Sequence, residues 1–212
     1  MRSLVIYGFV GFVVLAGCAQ KAEPPTEPAP VAPVAEWQPV TPEEMTETQK
    51  AQHELCLAAT NAMMAETLDE LERALDAGSA AEAVNVCKIR SRAIAAYVAD
   101  QFGLTMGRTS HKLRNPDNVP PPWAEGLVAA RTPDPAFLAG PNGELGALLP
   151  VRLKAECQVC HGPVEMIDEE IQAALDAEYP TDQGVGFVEG DLRGWIWVEA
   201  PPGDDDDDMT EF

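Results

Sequence analysis

Gly186-Phe187-Val188 and Trp195-Ile196-Trp197-Val198, separated by Glu189-Gly190-Asp191-Leu192-Arg193-Gly194, form the stretch on which the fold turns. Two short apolar runs, each with aromatic and β-branched residues, flank a segment of Gly and Asp, so the spacing predicts a β-hairpin with its turn at 189–194. Upstream, Leu145 to Leu153 reads as a further strand. The first half of the chain has a different period. Leu55, Ala58, Ala62, Ala65, Leu68, Leu71 and Leu75 recur at three and four residues with acids between them, which predicts a long amphipathic helix ending at Gly78. Ser79 is placed to cap a second helix, in which Val84, Cys87, Ser91, Ile94 and Val98 share one face, pointing Cys87 toward the core, and which Gly103 stops. A third helix is expected from Glu165 to Glu178, with Met166, Ile171, Ala174 and Leu175 inward. Leu104 to Trp123 holds too many prolines and Asn/Asp turns for regular structure and reads as an ordered loop. Helices with one apolar stripe must bury it against another layer, so the class is α+β, with helices packed on an antiparallel sheet.

The N-terminus places Arg2 before an apolar run from Leu4 to Leu15, followed by Ala16, Gly17 and Cys18. That order reads as an export signal, because the run is well short of the roughly 20 residues a spanning helix needs. Leu15-Ala16-Gly17-Cys18 resembles a bacterial lipobox, which would leave Cys18 as a lipidated first residue. Between Lys21 and Pro42 prolines alternate with Ala, Glu and Thr without any period, as in a semi-extended spacer. The expected organisation is therefore a lipoprotein signal over 1–17, a lipidated cysteine and spacer over 18–44, one domain over 45–201 and an acidic tail over 202–212 that includes Asp204 to Asp208. Ala19 carries no inner-membrane retention sign, so the expected location is the periplasmic side of the outer membrane. A net charge of -21 excludes nucleic acid and anionic lipid as docking partners and suits a basic protein partner.

Cys157-Gln158-Val159-Cys160-His161 is a CxxCH segment. Two intervening residues let both sulfurs reach the edge of one porphyrin for addition to its vinyl groups, and the adjacent imidazole then meets the iron. This predicts one covalent haem c, and the export signal supports it independently. The rival readings are a thioredoxin-like redox disulfide, which needs a βαβ context, and a zinc site, which needs a fourth ligand. With Cys18, Cys157 and Cys160 assigned, Cys56 and Cys87 remain, and a disulfide between them in an oxidising compartment stays open. Arg108, Lys112 and Arg114 concentrate three of the 14 basic residues in seven positions, which suits either haem propionates or the domain's own carboxylates.

The ordered set Ala83-Val84-Asn85-Val86-Cys87, Gly107-Arg108-Thr109-Ser110, Arg114-Asn115-Pro116 with Asn118, Trp123, Cys157 to Gly162 and Gly190-Asp191-Leu192-Arg193-Gly194 resembles a family of exported mono-haem proteins with a PAS-like fold, first catalogued as a domain of unknown function. The resemblance covers nearly the whole folded domain. It implies a haem c held by the motif histidine, here His161, and on the other face by a helix cysteine, which corresponds to Cys87. A thiolate there would favour ferric iron and lower the potential relative to Met/His ligation. The competing sixth ligands are His53, Cys56, Met63, Met106, His111 or an open position. Trp195 and Trp197 depart from the smaller residues expected after the Gly-Asp-Leu-Arg-Gly turn. The resemblance to PAS sensors implies a redox or small-gas sensor, read by an unknown redox or signalling partner, with exchange of Cys87 as the switch. An electron-transfer cytochrome is the alternative. A peroxidase would need a distal acid-base pair that the sequence does not clearly supply, so an enzyme is the less favoured reading and stays open.

Overall fold

The computed structural model describes residues 36–203, so the leader, Cys18 and the acid run 204–208 lie outside the described residues. In chain order the elements are β1 (Gln38–Pro39), α1 (Glu47–Asp76), α2 (Ala80–Asn85), a π-helical turn (Val86–Arg90), α3 (Ser91–Phe102), β2 (Thr105–Thr109), α4 (Glu125–Ala129), β3 (Ala136–Ala139), β4 (Leu145–Arg152), α5 (Gln158–His161), α6 (Glu169–Glu178) and β5 (Leu192–Ala200). The strands form one antiparallel sheet in the order β1-β3-β4-β5-β2. This is the expected α+β class, with a PAS-like sheet and a long N-terminal helix.

The predicted hairpin does not form, although its second strand does. β5 pairs with β4 on one side and β2 on the other, with Trp197 opposite both Leu148 and Gly107. Gly186 and Phe187 instead send their N–H groups to the carbonyls of Gly162 and His161, at 2.8 and 3.0 Å. β5 is a central strand covered on both faces, which explains why it is apolar at consecutive positions. Ile196, Val198 and Ala200 join Leu145, Ala147 and Leu149 against Cys56, Ala59 and Met63 of α1 and Ala95 and Val98 of α3. Trp195 and Trp197 face the opposite layer, where Trp195 packs with Ala124, Val128 and Leu148 and donates its indole N–H to Thr132 O at 2.9 Å. The two tryptophans therefore build the sheet's second face. Trp197 also requires glycine at 107, because a Cβ there would lie 2.6 Å from the indole ring.

α1 starts in a capping box between Thr46 and Gln49 and runs to Asp76, with Gly78 left-handed just beyond it. Its buried stripe lies one position away from the predicted one: Gln52, Cys56, Ala59, Met63, Thr67 and Ala74 face inward, while Ala58 and Ala65 are exposed. Small and polar residues occupy the stripe because their groups have partners there. Gln52 Nε2 donates to the carbonyls of Gly143 and Pro201, and Thr67 Oγ1 to Met63 O. Ser79 caps the second helix and left-handed Gly103 ends it, as expected, but the π turn splits it at Cys87.

Three other readings change. The stretch from Leu104 to Trp123 contains the edge strand β2, whose Met106 and Thr109 are buried. α6 begins only at Glu169, capped by Asp168, which leaves Met166 in a preceding 3-10 turn and 73% exposed instead of inward. Within the segment read as spacer, Gln38 and Pro39 pair with Ala139 and Leu138, and Trp37 stacks on Trp123 at 5.4 Å.

Candidate functional site

The CxxCH segment is one short helical unit. A 3-10 turn ends at Cys157, α5 carries Cys160 and His161, and Gly162 stops it by donating to Gln158 O, where any Cβ would lie 2.6 Å from that carbonyl. Above it lies a cavity of about 180 Å³ lined by Cys157, Cys160, His161 and, from the π turn, Cys87. Met64, Leu68 and Leu71 of α1 with Val151 and Leu153 supply apolar wall, while Arg108, Thr109 and Arg193 supply a polar one. Of the competing sixth ligands, His53 packs on Phe137, Cys56, Met63 and Met106 belong to the main core, and His111 lies against Phe187 and Trp195. None of these lines the cavity, but Met64, which the sequence reading passed over, does.

Cys87 is held by its backbone. Its carbonyl accepts from Ser91 Oγ at 2.9 Å and from Arg108 Nη2 at 3.1 Å, and the same guanidinium nitrogen bonds Ser91 Oγ. A π turn widens the helical ring by one residue and commonly marks a functional position. Here it sets Cys87 on the cavity while Val84 and Ser91 on either side stay buried. Cys56 is buried in the main core and Cys87 lines the cavity, and the two thiols are not bonded to each other.

His161 is oriented from behind. Its Nδ1 donates to Gly184 O at 2.7 Å, which leaves the Nε2 lone pair free, and Gly184 N–H in turn donates to Asp182 Oδ1 at 2.6 Å. Arg193 Nε lies 3.2 Å from the same Nδ1, but both atoms carry hydrogens in this tautomer, so Arg193 acts there as a neighbouring cation rather than a donor. Burial, with Arg114 and Arg193 nearby, holds His161 well below the usual imidazole range and therefore neutral, as an iron ligand must be. Burial also pushes the Cys160 thiol up to about 11 and raises that of Cys157.

Arg108 and Arg114 play different parts. Arg114, only 6% exposed, pairs with Asp182 at 2.8 Å and donates to the carbonyls of Cys160 at 2.6 Å and Gly184 at 3.2 Å. It follows the internal-carboxylate alternative and braces the motif helix. Among the described residues no carboxylate lies within ion-pair reach of Arg108 or Arg193. Burial, then the neighbouring Arg114, pulls Arg193 down to about 10. Thr109 Oγ1 is buried on the same wall without a hydrogen-bond partner. Two thiols and an imidazole at one side, apolar walls, and uncompensated guanidinium groups with an orphan hydroxyl fit an amphiphilic ligand bearing carboxylates. Haem is such a ligand. Among the described residues no group of three or more His, Cys, Asp or Glu side chains is arranged to hold a metal ion by itself, as zinc requires, and the sheet contains no parallel strand pair for a thioredoxin-like centre.

Met64 and Asp182 were not singled out from the sequence, and Thr109 and Arg193 entered only as members of longer motifs, without a role of their own. Arg193 sat inside the quoted Gly-Asp-Leu-Arg-Gly segment as a turn residue; Asp182 carried no local signal, because its role depends on Arg114, far away in the chain.

The Tll0287-like family profile matches residues 42–201, every element from α1 to β5. No curated protein matches. Among solved structures, that described as the crystal structure of the cyanobacterial heme-protein Tll0287 aligns at 19% identity and a TM-score of 0.46, covering 77% of this chain and 97% of its own. The motifs from Ala83 to Gly194 all fall within the matched span, so the family resemblance holds: the chain belongs to the Tll0287-like family.

Proposed function

We propose that this chain is a c-type haem protein with one haem, joined by thioethers from Cys157 and Cys160, ligated by His161 and Cys87, and tethered on the periplasmic side of a bacterial outer membrane as a redox or small-gas sensor. The observation that carries the reading is convergence. Cys87, Cys157, Cys160 and His161, distant in sequence, line one largely apolar cavity with anion-binding groups at its polar wall. Membership of the Tll0287-like family, which includes a solved cyanobacterial heme-protein, supports it. When bound, the haem supplies a one-electron iron couple tuned by its axial ligands. The chain's own residues do the rest: Gly184 and Asp182 hold the His161 tautomer, Arg108 and Ser91 hold the Cys87 backbone, and Arg108, Arg193 and Thr109 offer donors for propionates. Sensing rests on Cys87, because its place on a π turn gives the helix a point at which to re-register.

Protein matured in an exporting host with haem attachment machinery should give a pyridine haemochrome spectrum of bis-thioether haem and keep its haem on a denaturing gel. Cys157→Ala with Cys160→Ala should abolish covalent haem, and an unchanged gel signal would end this reading. Sensing predicts that carbon monoxide binds the ferrous protein by displacing Cys87. If the ferrous protein excludes carbon monoxide and nitric oxide, the second reading, periplasmic electron transfer, takes its place. That reading is favoured by the surface described below.

The tether has its own test. Three acyl chains on one cysteine exceed the two-anchor threshold for stable membrane attachment. Cys18→Ser should therefore move the protein from the membrane fraction to the soluble exported fraction, and equal partition of both forms would remove the lipid anchor.

A further inference from the structure

Around the CxxCH segment the surface is apolar and ringed with uncompensated acid. Val159, Val164, Met166 and Val188 are 36%, 48%, 73% and 52% exposed. Backbone hydrogen bonds bring their segments together. The turn from Val188 to Asp191 is tied before the motif by Leu153 N–H to Asp191 O and Gly190 N–H to Leu153 O, and after it by Gly186 and Phe187 to Gly162 and His161. Val159 also lines the cavity, so the patch borders its mouth. Exposed aliphatic groups clustered in this way mark an interaction site rather than scattered surface residues.

No Lys or Arg occurs anywhere from 155 to 192. Exposed Glu156, Glu165, Asp168, Glu169, Glu170 and Glu189 surround the patch, and among the described residues only Glu156 of these has a cation near it, Lys154 at 3.7 Å. Asp168 is explained by its cap on α6, and Glu169 and Glu170 suit that helix's first turn. Among the described residues Glu165 and Glu189 have no side-chain partner. Like charge makes a second copy of this chain, or its own acid run at 204–208, a poor occupant of this face.

We infer that this face docks a soluble basic protein, one that presents a ring of lysines or arginines around an apolar centre, at the edge of the haem site. The inference deepens the haem reading and rests on it for its purpose, because a partner seated here lies beside the motif that holds the haem. Apolar centres with complementary charged rims combine packing with electrostatic steering, and rim charges act mainly on association rate and salt dependence.

The test uses isotopically labelled holoprotein and, as probe, a basic mitochondrial-type cytochrome c. At low ionic strength, amide shift changes should cluster at Val159, Val164 to Met166, and Val188 to Glu189, and fade near 0.1 M salt, where the screening length is about 10 Å. Glu156→Lys/Glu165→Lys/Glu189→Lys should weaken binding by about tenfold or more, the size expected for removing a complementary rim. The control Glu54→Lys/Glu66→Lys/Glu72→Lys alters net charge equally on exposed positions of α1 and should change affinity less than about twofold, since screened charges away from an interface couple weakly. Met166→Asp should weaken binding without altering the melting temperature. The proposal is overturned if the two triple variants weaken binding equally, if the shifts map elsewhere, if no association occurs at low salt, or if sedimentation shows that the patch is covered by a second copy. Absorbance of the same samples reports haem content, so a failure of the haem reading and a failure of docking are seen separately.

Discussion

With the proposed His161 and Cys87 ligation, Cys87→Ser is expected to retain covalent haem and to raise its potential. In the proposed arrangement attachment depends on Cys157 and Cys160, which line the same cavity and which the substitution does not touch. The backbone of position 87 is held through its carbonyl by Ser91 and Arg108, contacts that serine preserves, and the hydroxyl is nearly isosteric with the thiol. What changes is the charge offered to the iron. A thiolate stabilises the ferric state and a hydroxyl does not, so the midpoint potential should rise, by roughly 100 mV or more given that axial ligands span about 0.8 V across haem proteins. The ferric spectrum should shift toward high spin. Spectroelectrochemical titration of both forms decides it. A potential and spectrum identical to wild type would remove Cys87 from the iron and make Met64, the remaining sulfur on the cavity wall, the residue to replace next.

Arg114→Ala should be the most destabilising single change at the site. The Arg114–Asp182 pair is almost fully enclosed, at 6% and 12% side-chain exposure, so truncating the arginine strands a buried carboxylate and two carbonyls that it serves. Breaking such a pair costs roughly 3–5 kcal/mol. For a domain of this size each kcal/mol moves the melting temperature by about 2–4 °C, so a fall of about 10 °C or more is expected by circular dichroism. The double variant Arg114→Met/Asp182→Leu should recover much of it, because removing both charges removes the desolvation penalty as well. A melting temperature unchanged in Arg114→Ala, or a double variant no better than the single, would contradict the bracing role. Loss of haem without loss of stability would return Arg114 to the anion contact that its sequence context first suggested.

The candidate site was legible where it is written locally. CxxCH needs only consecutive residues, and Ser79 and Gly103 mark their helix ends through their own backbone preferences, so those readings required no tertiary information. The α+β class followed from the change of period between Leu55–Leu75 and Trp195–Val198. The partner of β5 was not legible. Trp195-Ile196-Trp197-Val198 is apolar on both faces because it lies between two other strands and beneath two layers, and a run without alternation carries no record of which strands those are. Likewise the inward stripe of α1 is built from Gln52, Ala59 and Thr67, whose burial depends on a close sheet and on carbonyls at Gly143, Pro201 and Met63.

The sequence by itself determined the CxxCH segment, the cap at Ser79 and the stop at Gly103, the acidic character and the candidate at position 87. Only the tertiary structure decided that Cys87 lines the cavity of Cys157, Cys160 and His161 while Cys56 and the other competing ligands do not, and that Arg114 serves Asp182 while Arg108 and Arg193 have no described carboxylate. The reason is physical: reactivity is a property of residue type and short spacing, but which reactive groups meet depends on how distant elements pack, here through the π turn Val86–Arg90 that carries Cys87.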